Sequence, residues 1–173
     1  MAAQSEIQSR FPVSPASRCG GHIVVRQLRG SEESACDAFF GQLHWYDVRW
    51  RFGGPRTSGG CLLPRREGFC QSLAFAASSE AGDILGIINV EYLDADTAEV
   101  ALIVRSDLKH QGIGALLLSH VMNWSRTSGL KWLTGHVMTD NKAMLRLALA
   151  AGFICVGGDQ ALVELNWPID TAA

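Results

Sequence analysis

A glycine-broken turn between an apolar segment and an amphipathic helix constrains this chain more than any other feature. The stretch spans residues 104–115 and reads VRSDLKHQGIGA. A helix that begins in such a turn leaves its first backbone N–H groups without intrahelical acceptors, and its dipole places partial positive charge at the same end. Gly112 and Gly114 would let an anion approach the backbone closely, and glycine permits the dihedral angles of a tight turn. The stretch therefore predicts a phosphate-binding loop.

Two common phosphate loops do not fit the stretch. A dinucleotide fingerprint needs a third glycine where Leu117 stands, and a P-loop needs Gly-Lys-Ser/Thr, which is missing here. What remains is the pattern Arg/Gln-x-x-Gly-x-Gly/Ala, with Val104 five residues before the first loop position, Lys109. In this pattern and spacing the chain resembles the GNAT N-acetyltransferase superfamily, whose loop of this form binds the pyrophosphate of acetyl-CoA. Lys109 departs from the usual Arg or Gln, and it supplies a cation without a bidentate fork. A glycine-rich turn that binds nothing is the alternative.

A second segment, residues 140–153, reads DNKAMLRLALAAGF and resembles the family's fourth helix. Thr139 or Asp140 can cap this helix, and Gly152 is placed to end it in a left-handed turn. The resemblance implies that Asn141 hydrogen-bonds the pantetheine arm, with a capping role as the alternative. Many family members carry a tyrosine seven residues later as the acid that protonates the departing thiolate. Ala148 stands there, so another group or water supplies the proton, or the chain binds acyl-CoA without turnover.

Acetyl transfer requires a neutral amine, whereas a lysine-like amine of pKa ~10.4 is almost wholly protonated at pH 7. Removing that proton costs about 4 to 5 kcal/mol, so we expect a positioned base. Glu99 lies inside an otherwise apolar strand, where a carboxylate is costly unless it is solvated, paired or functional. Protein lysine acetyltransferases of this family place their base in a similar Ala-Glu-hydrophobic-Ala strand, and the resemblance therefore implies Glu99. Glu91 is the second candidate, and Tyr92 could bond the acceptor or simply pack.

Residues 24–52, with the opening VVRQLR, an early Phe-Phe and a closing Arg-Phe, resemble the N-terminal part of bacterial protein lysine acetyltransferases. The implied fold is a mixed α/β (α+β) single GNAT domain. Its central, mostly antiparallel sheet has about six or seven strands, its fourth and fifth strands are splayed, and helices flank it. The pantetheine arm would lie in the wedge between the splayed strands. The predicted cofactor-binding residues are Leu102, Ile103, Val104, Lys109, His110, Gln111, Gly112, Ile113, Gly114, Ala115 and Asn141.

Composition agrees with one domain, because 173 residues with 47% hydrophobic content can bury a substantial core. We predict a flexible leader over residues 1–21, the acetyltransferase domain over 22–168 and a C-terminal tail over 169–173. The 15 basic and 17 acidic residues are nearly balanced, so we expect neither a nucleic-acid partner nor a membrane-binding face. The start of the chain lacks the pattern of a secretory signal, and we expect a cytoplasmic protein. Five cysteines without a C-x-x-C pair predict reduced thiols and no metal site.

The acceptor side of the site is less constrained by the sequence. Five arginines surround the glycine-rich loop 53–60 and form either a basic rim for an acidic acceptor or a solvated loop; they are Arg49, Arg51, Arg56, Arg65 and Arg66. Histidine is the usual base at neutral pH. We expect His110 and His136 to face solvent, and His120 to lie on a helix surface.

The sequence thus predicts an acetyl-CoA-dependent N-acetyltransferase in which a primary amine, such as a protein lysine, attacks directly in a ternary complex. A small-amine or amino-sugar acetyltransferase is the alternative acceptor class. A catalytically weak acyl-CoA-binding regulatory module and an α/β domain that binds nothing stay open as other classes. The oligomeric state, a dimer included, is left open.

Overall fold

A computed structural model of the protein describes residues 9–12, 22–67 and 70–169, with side chains for residues 22–65 and 71–169. The chain alternates short strands and helices in a mixed order. The strands are β1 (Ser9–Pro12), β2 (His22–Gln27), β3 (Arg66–Glu67), β4 (Cys70–Ser78), β5 (Ile84–Tyr92), β6 (Thr97–Val104), β7 (Trp132–Met138), β8 (Ile154–Gly158) and β9 (Leu162–Pro168). The helices are α1 (Glu33–Phe40), α2 (Trp45–Phe52), α3 (Ile113–Ser125) and α4 (Lys142–Ala150).

One mixed sheet organises these elements. Its strand order is β1-β2-β4-β5-β6-β7-β9-β8, and the short β3 pairs with β4 outside this path. Neighbouring strands run antiparallel except β6 and β7, which run parallel. The predicted mixed α/β class and mostly antiparallel sheet are confirmed. The short strands β1 and β3 bring the count to nine, because neither has enough alternation to be recognised in the sequence.

Both faces of the sheet are covered, and each face has its own hydrophobic cluster. On one face α3 packs through Ile113, Leu117 and Val121, all at most 1% exposed, against the inward side chains of the central strands. On the other face α1 packs through Cys36 and Phe39. A helix with an apolar stripe must bury that stripe against a sheet, and here two helices do so from opposite sides.

Several predicted boundaries are confirmed, and others are wrong for physical reasons. The apolar runs of the sequence predict strands over 84–92, 97–104 and 132–138, and β5, β6 and β7 have these bounds because each run ends at a clear turn. The sequence predicts Ser31 as the N-cap of the first helix, but Glu32 holds that position, and its carboxylate accepts from the Arg29 backbone N–H at 2.7 Å. β1 places a strand inside the predicted leader, where it pairs with β2. The rest of that leader and the tail after residue 169 lie outside the described residues.

His120 is buried, which makes the expected surface position on α3 wrong. Its side chain is only 4% exposed and packs edge-on against Phe75, with 4.9 Å between the ring centroids. This burial lowers the pKa of His120, because an apolar environment disfavours the charged imidazolium. A single histidine in a helix carries no sequence signal that separates a buried ring from an exposed one.

A close contact between α1 and the 3-10 turn Gly59–Leu62 yields the first prediction. A Cβ added at Gly59 would lie 2.2 Å from the carbonyl carbon and oxygen of Cys36, whereas one at Gly60 would meet nothing nearer than 3.5 Å. Gly59→Ala must therefore push the turn away from α1. We expect it to lower the free energy of unfolding by about 1 to 3 kcal/mol, as measured by urea denaturation. Gly60→Ala is the matched control, and equal midpoints for the two variants would contradict this contact.

Candidate active site

The parallel seam between β6 and β7 is short and opens into a wedge. Only three register positions pair the two strands, ending at Glu99 opposite Thr134. Gly135 follows, and a Cβ there would lie 3.3 Å from the Val100 carbonyl oxygen, so glycine lets the strands stay close at the apex. Beyond this point no register joins them within the described residues, and the backbone edge of β6 from Leu102 to Val104 lines a cavity of about 270 Å³. The splayed strands predicted from the sequence are therefore present.

The glycine loop lies at the mouth of this cavity. His110 and Gly112 both have positive φ, 62° and 83°, and α3 begins directly afterwards. The first intrahelical bond links the Leu116 N–H to the Gly112 carbonyl at 2.9 Å, so the amides of residues 113–115 precede any such bond. Loop residues that line the cavity are Lys109, His110, Gly112, Ile113, Gly114 and Ala115. Gln111, which was predicted to bind cofactor, is not among the lining residues.

The two glycines have different structural roles. At Gly112 a Cβ would meet no protein atom within 4 Å, so the space is open and only the positive φ demands glycine. At Gly114 the Cβ would lie 3.1 Å from a Leu147 methyl group and 3.7 Å from a Leu102 methyl group. Glycine at 114 therefore keeps the cavity between β6 and α4 wide, in addition to its place at the helix start.

Lys109 lines the cavity, but its ammonium group is paired with a protein carboxylate. The partner is Asp47 of α2, which is 4% exposed and also accepts a 2.5 Å hydrogen bond from Ser106 Oγ. The ammonium also lies 5.2 Å from the ring centroid of Trp50. Asp47 thus offsets the charge that Lys109 is expected to place beside phosphate, and that role of Lys109 stays a prediction. The backbone amides at the start of α3 are left as the main anion-binding groups of the loop.

α4 forms the opposite wall of the wedge. Asn141 is its N-cap, in place of the predicted Thr139 or Asp140, and its Oδ1 accepts from the Met144 backbone N–H at 3.1 Å. Asn141 also lines the cavity, so its side-chain NH₂ group is available to donate to a ligand. Ala148 is buried and lines the same cavity, so its methyl group can neither donate nor accept a proton there.

Glu99 lies at the apex of the wedge and contacts a histidine. Its Oε1 is 3.0 Å from His136 Nδ1, and both side chains are partly exposed. Glu91 is exposed and stands directly opposite Glu99 in the register of β5 and β6. Tyr92, on the same strand as Glu91, packs edge-on against Trp124 at 6.5 Å, and burial raises its pKa. Tyr92 therefore packs, whereas Glu99 and His136 are in contact beside the cavity, with Glu91 at the neighbouring register position.

Three arginines of the cluster contact other residues of the protein, although Arg49 and Arg56 are exposed. Arg49 pairs with Asp140 at 2.9 Å, and Arg56 stacks 5.4 Å from the ring centroid of Phe52. Arg51 lines the cavity and donates to Asn89 Oδ1 at 2.9 Å. Burial lowers the pKa of Arg51 to about 10, which still leaves it cationic at neutral pH. These contacts weaken the interpretation of the cluster as a basic rim for an acidic acceptor.

A second depression, which we call the acceptor groove, adjoins the cavity at His136. Its volume is about 250 Å³, and its lining residues are Leu93, Thr97, Trp132, Thr134, His136, Glu164 and Asn166. Asn166 Oδ1 is buried without a hydrogen-bond partner among the described residues. Trp132 is 40% exposed and contributes an aromatic face. An aromatic ring together with Glu164 suits a cationic ligand.

The sequence did not reveal two residues of this site, Asp47 and Trp50, or the contact of His136 with Glu99. Asp47 lies 62 positions from Lys109 along the chain, and nothing in its local pattern separates it from a surface residue of α2. His136 was judged to face solvent, and its ring is indeed 44% exposed. Only the pairing of β6 with β7 brings it next to Glu99. His136 lies two residues after Thr134, the register partner of Glu99, and this spacing is the one signal that could have identified His136.

No group of three or more metal-ligating side chains occurs in the described part of the chain, and no helix found there is long and apolar enough to cross a membrane. Where cysteine side chains are described, at positions 36, 61 and 155, the thiols are free.

The site fits the arm and diphosphate of coenzyme A. The amides at the start of α3 and the open space beside Gly112 suit a diphosphate. The cavity is walled mainly by apolar side chains of β6, α3 and α4, and the unpaired edge of β6 offers backbone hydrogen bonds to an amide-containing arm. The residues that would hold it are therefore the loop 112–115, the strand edge 102–104 and Asn141.

Comparison with known proteins agrees with this geometry. Residues 41–153 match the model of the acetyltransferase (GNAT) family. Acetyltransferase PA5475 of Pseudomonas aeruginosa is 25% identical over 142 residues, which cover 78% of this chain and 76% of that protein. The GNAT domain of S. lividans PAT superposes with a TM-score of 0.79 at 21% identity, covering 97% of this chain and 99% of the other.

A further similar structure is spermidine N-acetyltransferase from Vibrio cholerae in complex with CoA and spermine. Its TM-score is 0.68 at 13% identity, with coverage of 86% of this chain and 96% of the other. At such identities the structures establish the fold, and the family match supplies the assignment. The chain belongs to the GNAT acetyltransferase family, and it is an N-acetyltransferase that uses acetyl-CoA.

Proposed function

We propose that the protein transfers the acetyl group to a primary amine by direct attack in a ternary complex, with Glu99 as the proton acceptor. The observation that carries this proposal is the position of Glu99 in the last registered pair of β6 and β7. A carboxylate at that point lies where the wedge begins. Bound acetyl-CoA would supply an activated acyl group as its thioester.

The residues of the chain have separable tasks in this mechanism. The amides at the start of α3 hold the diphosphate, and the edge of β6 orients the arm toward the apex of the wedge. Glu99 removes the ammonium proton, directly or through a neighbour, and thereby offsets the cost of forming a neutral amine. Ala148 provides no acid, so the departing thiolate takes its proton from the amine nitrogen or from water.

We propose a lysine side chain of a protein as the acceptor. The acceptor groove supports this choice, because it is open to solvent beside Trp132 and Glu164, and no arginine whose side chain is described lines it. A lysine side chain presents a cation on an apolar stem, which suits an aromatic ring and a carboxylate. Small amines and amino sugars share the ammonium group and are the acceptors to compare.

The deciding experiment measures CoA release at saturating acetyl-CoA with lysine-containing peptides, spermidine and glucosamine as acceptors. An enzyme of the proposed kind releases thiol in proportion to one of these amines. In parallel, acetyl-CoA at about 100 times its Kd should stabilise the fold by roughly 2.7 kcal/mol. Stabilisation without amine-dependent release would favour a regulatory acyl-CoA-binding module, and no thermal shift at all would contradict the cofactor site.

A further inference from the structure

His136 connects the two depressions of the site. Among the described residues it is the one that lines both the cavity for the arm and the acceptor groove, whereas Glu99 lines neither. An amine that enters along the groove toward the apex of the wedge therefore meets the imidazole ring before it meets the carboxylate. The position of His136 on β7, two residues past the last pair with β6, produces this arrangement.

The contact with Glu99 determines which nitrogen of the ring can act as a base. An ionised carboxylate only accepts hydrogen bonds, so the 3.0 Å contact requires His136 Nδ1 to carry the hydrogen. In the neutral ring the lone pair is then on Nε2. Nε2 has no hydrogen-bond partner in the part of the chain that the structure describes, and the ring is 44% exposed. The lone pair is thus available to a ligand.

We propose that His136 is a catalytic residue, which takes the proton from the acceptor ammonium while Glu99 fixes its tautomer and stabilises the imidazolium that forms. This proposal rests on the proposed function and replaces direct proton transfer to Glu99 by transfer to His136 Nε2, so that Glu99 acts through the ring. One ammonium proton moves to Nε2, and the freed electron pair on nitrogen forms the C–N bond to the thioester carbonyl carbon. The C–S bond breaks, the sulfur leaves with the bonding pair, and it takes up the second nitrogen proton. His136 returns its proton to water in the groove.

The charges that face His136 suit this role. Glu99 lies on β6, and Glu164 is its register partner on the neighbouring strand β9. The other charged residues that line the cavity are Arg51 and Asp47 of α2 and Lys109 of the glycine loop, which pairs with Asp47. The Glu99 carboxylate, which contacts the ring, can attract an ammonium group into the groove and stabilise a transient imidazolium.

His136→Gln tests the proposal, because glutamine can still donate to Glu99 but is not a base. We expect kcat to fall at least about a hundredfold, in the range of general-base catalysis, with a much smaller change in the Kd for acetyl-CoA, because His136 lines only one end of the cavity for the arm. The acidic limb of the kcat/KM profile against pH should disappear or shift. His22→Gln, at an exposed histidine of β2, is the matched control and should retain both activity and profile.

A double-mutant cycle and a spectroscopic measurement complete the test. If the two residues act as a unit, Glu99→Gln combined with His136→Gln should be hardly slower than either single variant. The ¹⁵N chemical shifts of the His136 ring should report the Nδ1–H tautomer in the wild type without any turnover. Activity of His136→Gln within twofold of wild type, additive losses in the cycle, or an Nε2–H tautomer would overturn the proposal. Wild-type protein that releases no CoA with any amine would instead refute the proposed function.

Discussion

Glu99→Gln is expected to lower kcat by about 10² to 10⁴-fold, which is the usual contribution of a positioned acid or base. The Kd for acetyl-CoA should stay nearly constant, because Glu99 is not among the residues that line the cavity for the arm. Glutamine has the shape of glutamate and can keep the contact with His136, so the sheet and its seam should be preserved. Steady-state CoA release together with calorimetric titration of acetyl-CoA separates the two effects.

Two further carboxylate variants make this experiment specific. Glu80→Gln removes an exposed carboxylate that accepts from the His22 backbone N–H and lines neither depression of the site, so it should leave kcat unchanged. Glu91→Gln removes the residue opposite Glu99 in the register of β5 and β6. A large loss of kcat in Glu91→Gln with none in Glu99→Gln would transfer the role of base to Glu91. Equal small losses in both would exclude either carboxylate from proton transfer.

Gly112→Glu is expected to weaken acetyl-CoA binding by at least about a hundredfold. The new carboxylate would stand beside the amides at the start of α3, where the diphosphate should bind. Two unit charges of like sign 4 Å apart repel by about 4 kcal/mol at an effective dielectric constant of ~20. The same variant also forces a side chain into a positive φ, which costs stability wherever it occurs.

Gly129→Glu controls for that conformational cost. Gly129 has the same φ of +83°, and a Cβ there likewise meets no atom within 4 Å. It lies between α3 and β7, at the end of the helix away from the loop. Both variants should lose similar amounts of unfolding free energy in urea, whereas only Gly112→Glu should lose acetyl-CoA affinity by calorimetry. Similar affinities for the two variants would show that the loop does not hold the diphosphate.

Local patterns predicted those parts of the fold that depend on neighbours in the chain. The loop 109–115 could be recognised because glycine spacing, the helix start and the preceding strand are all local. The strands Thr97–Val104 and Trp132–Met138 could be delimited because their apolar residues alternate between clear turns. Asn141 was predicted at the start of α4 with a capping role as one alternative, and the structure shows that it caps that helix.

Features that depend on distant pairing could not be predicted. The partner of Lys109 is Asp47, and the burial of His120 depends on Phe75 of β4, so neither can be deduced from a window around the residue. The neighbour of Glu99 is His136, 37 positions away along the chain, and the two meet only because β6 and β7 run parallel for three residue pairs. Single candidate residues could thus be identified from the sequence, whereas their spatial arrangement could be seen only in the tertiary structure.

The brief seam between β6 and β7 has a mechanical consequence. Strands β1 to β6 form one panel and β7 to β9 another, and three residue pairs at one end are the backbone ladder between them. A ligand arm bound along the unpaired edge of β6 would supply backbone hydrogen bonds that β7 does not make there. Bound acetyl-CoA would then stabilise the sheet as well as donate the acyl group. After it leaves, the two described parts of the sheet would be joined only by the three residue pairs at one end.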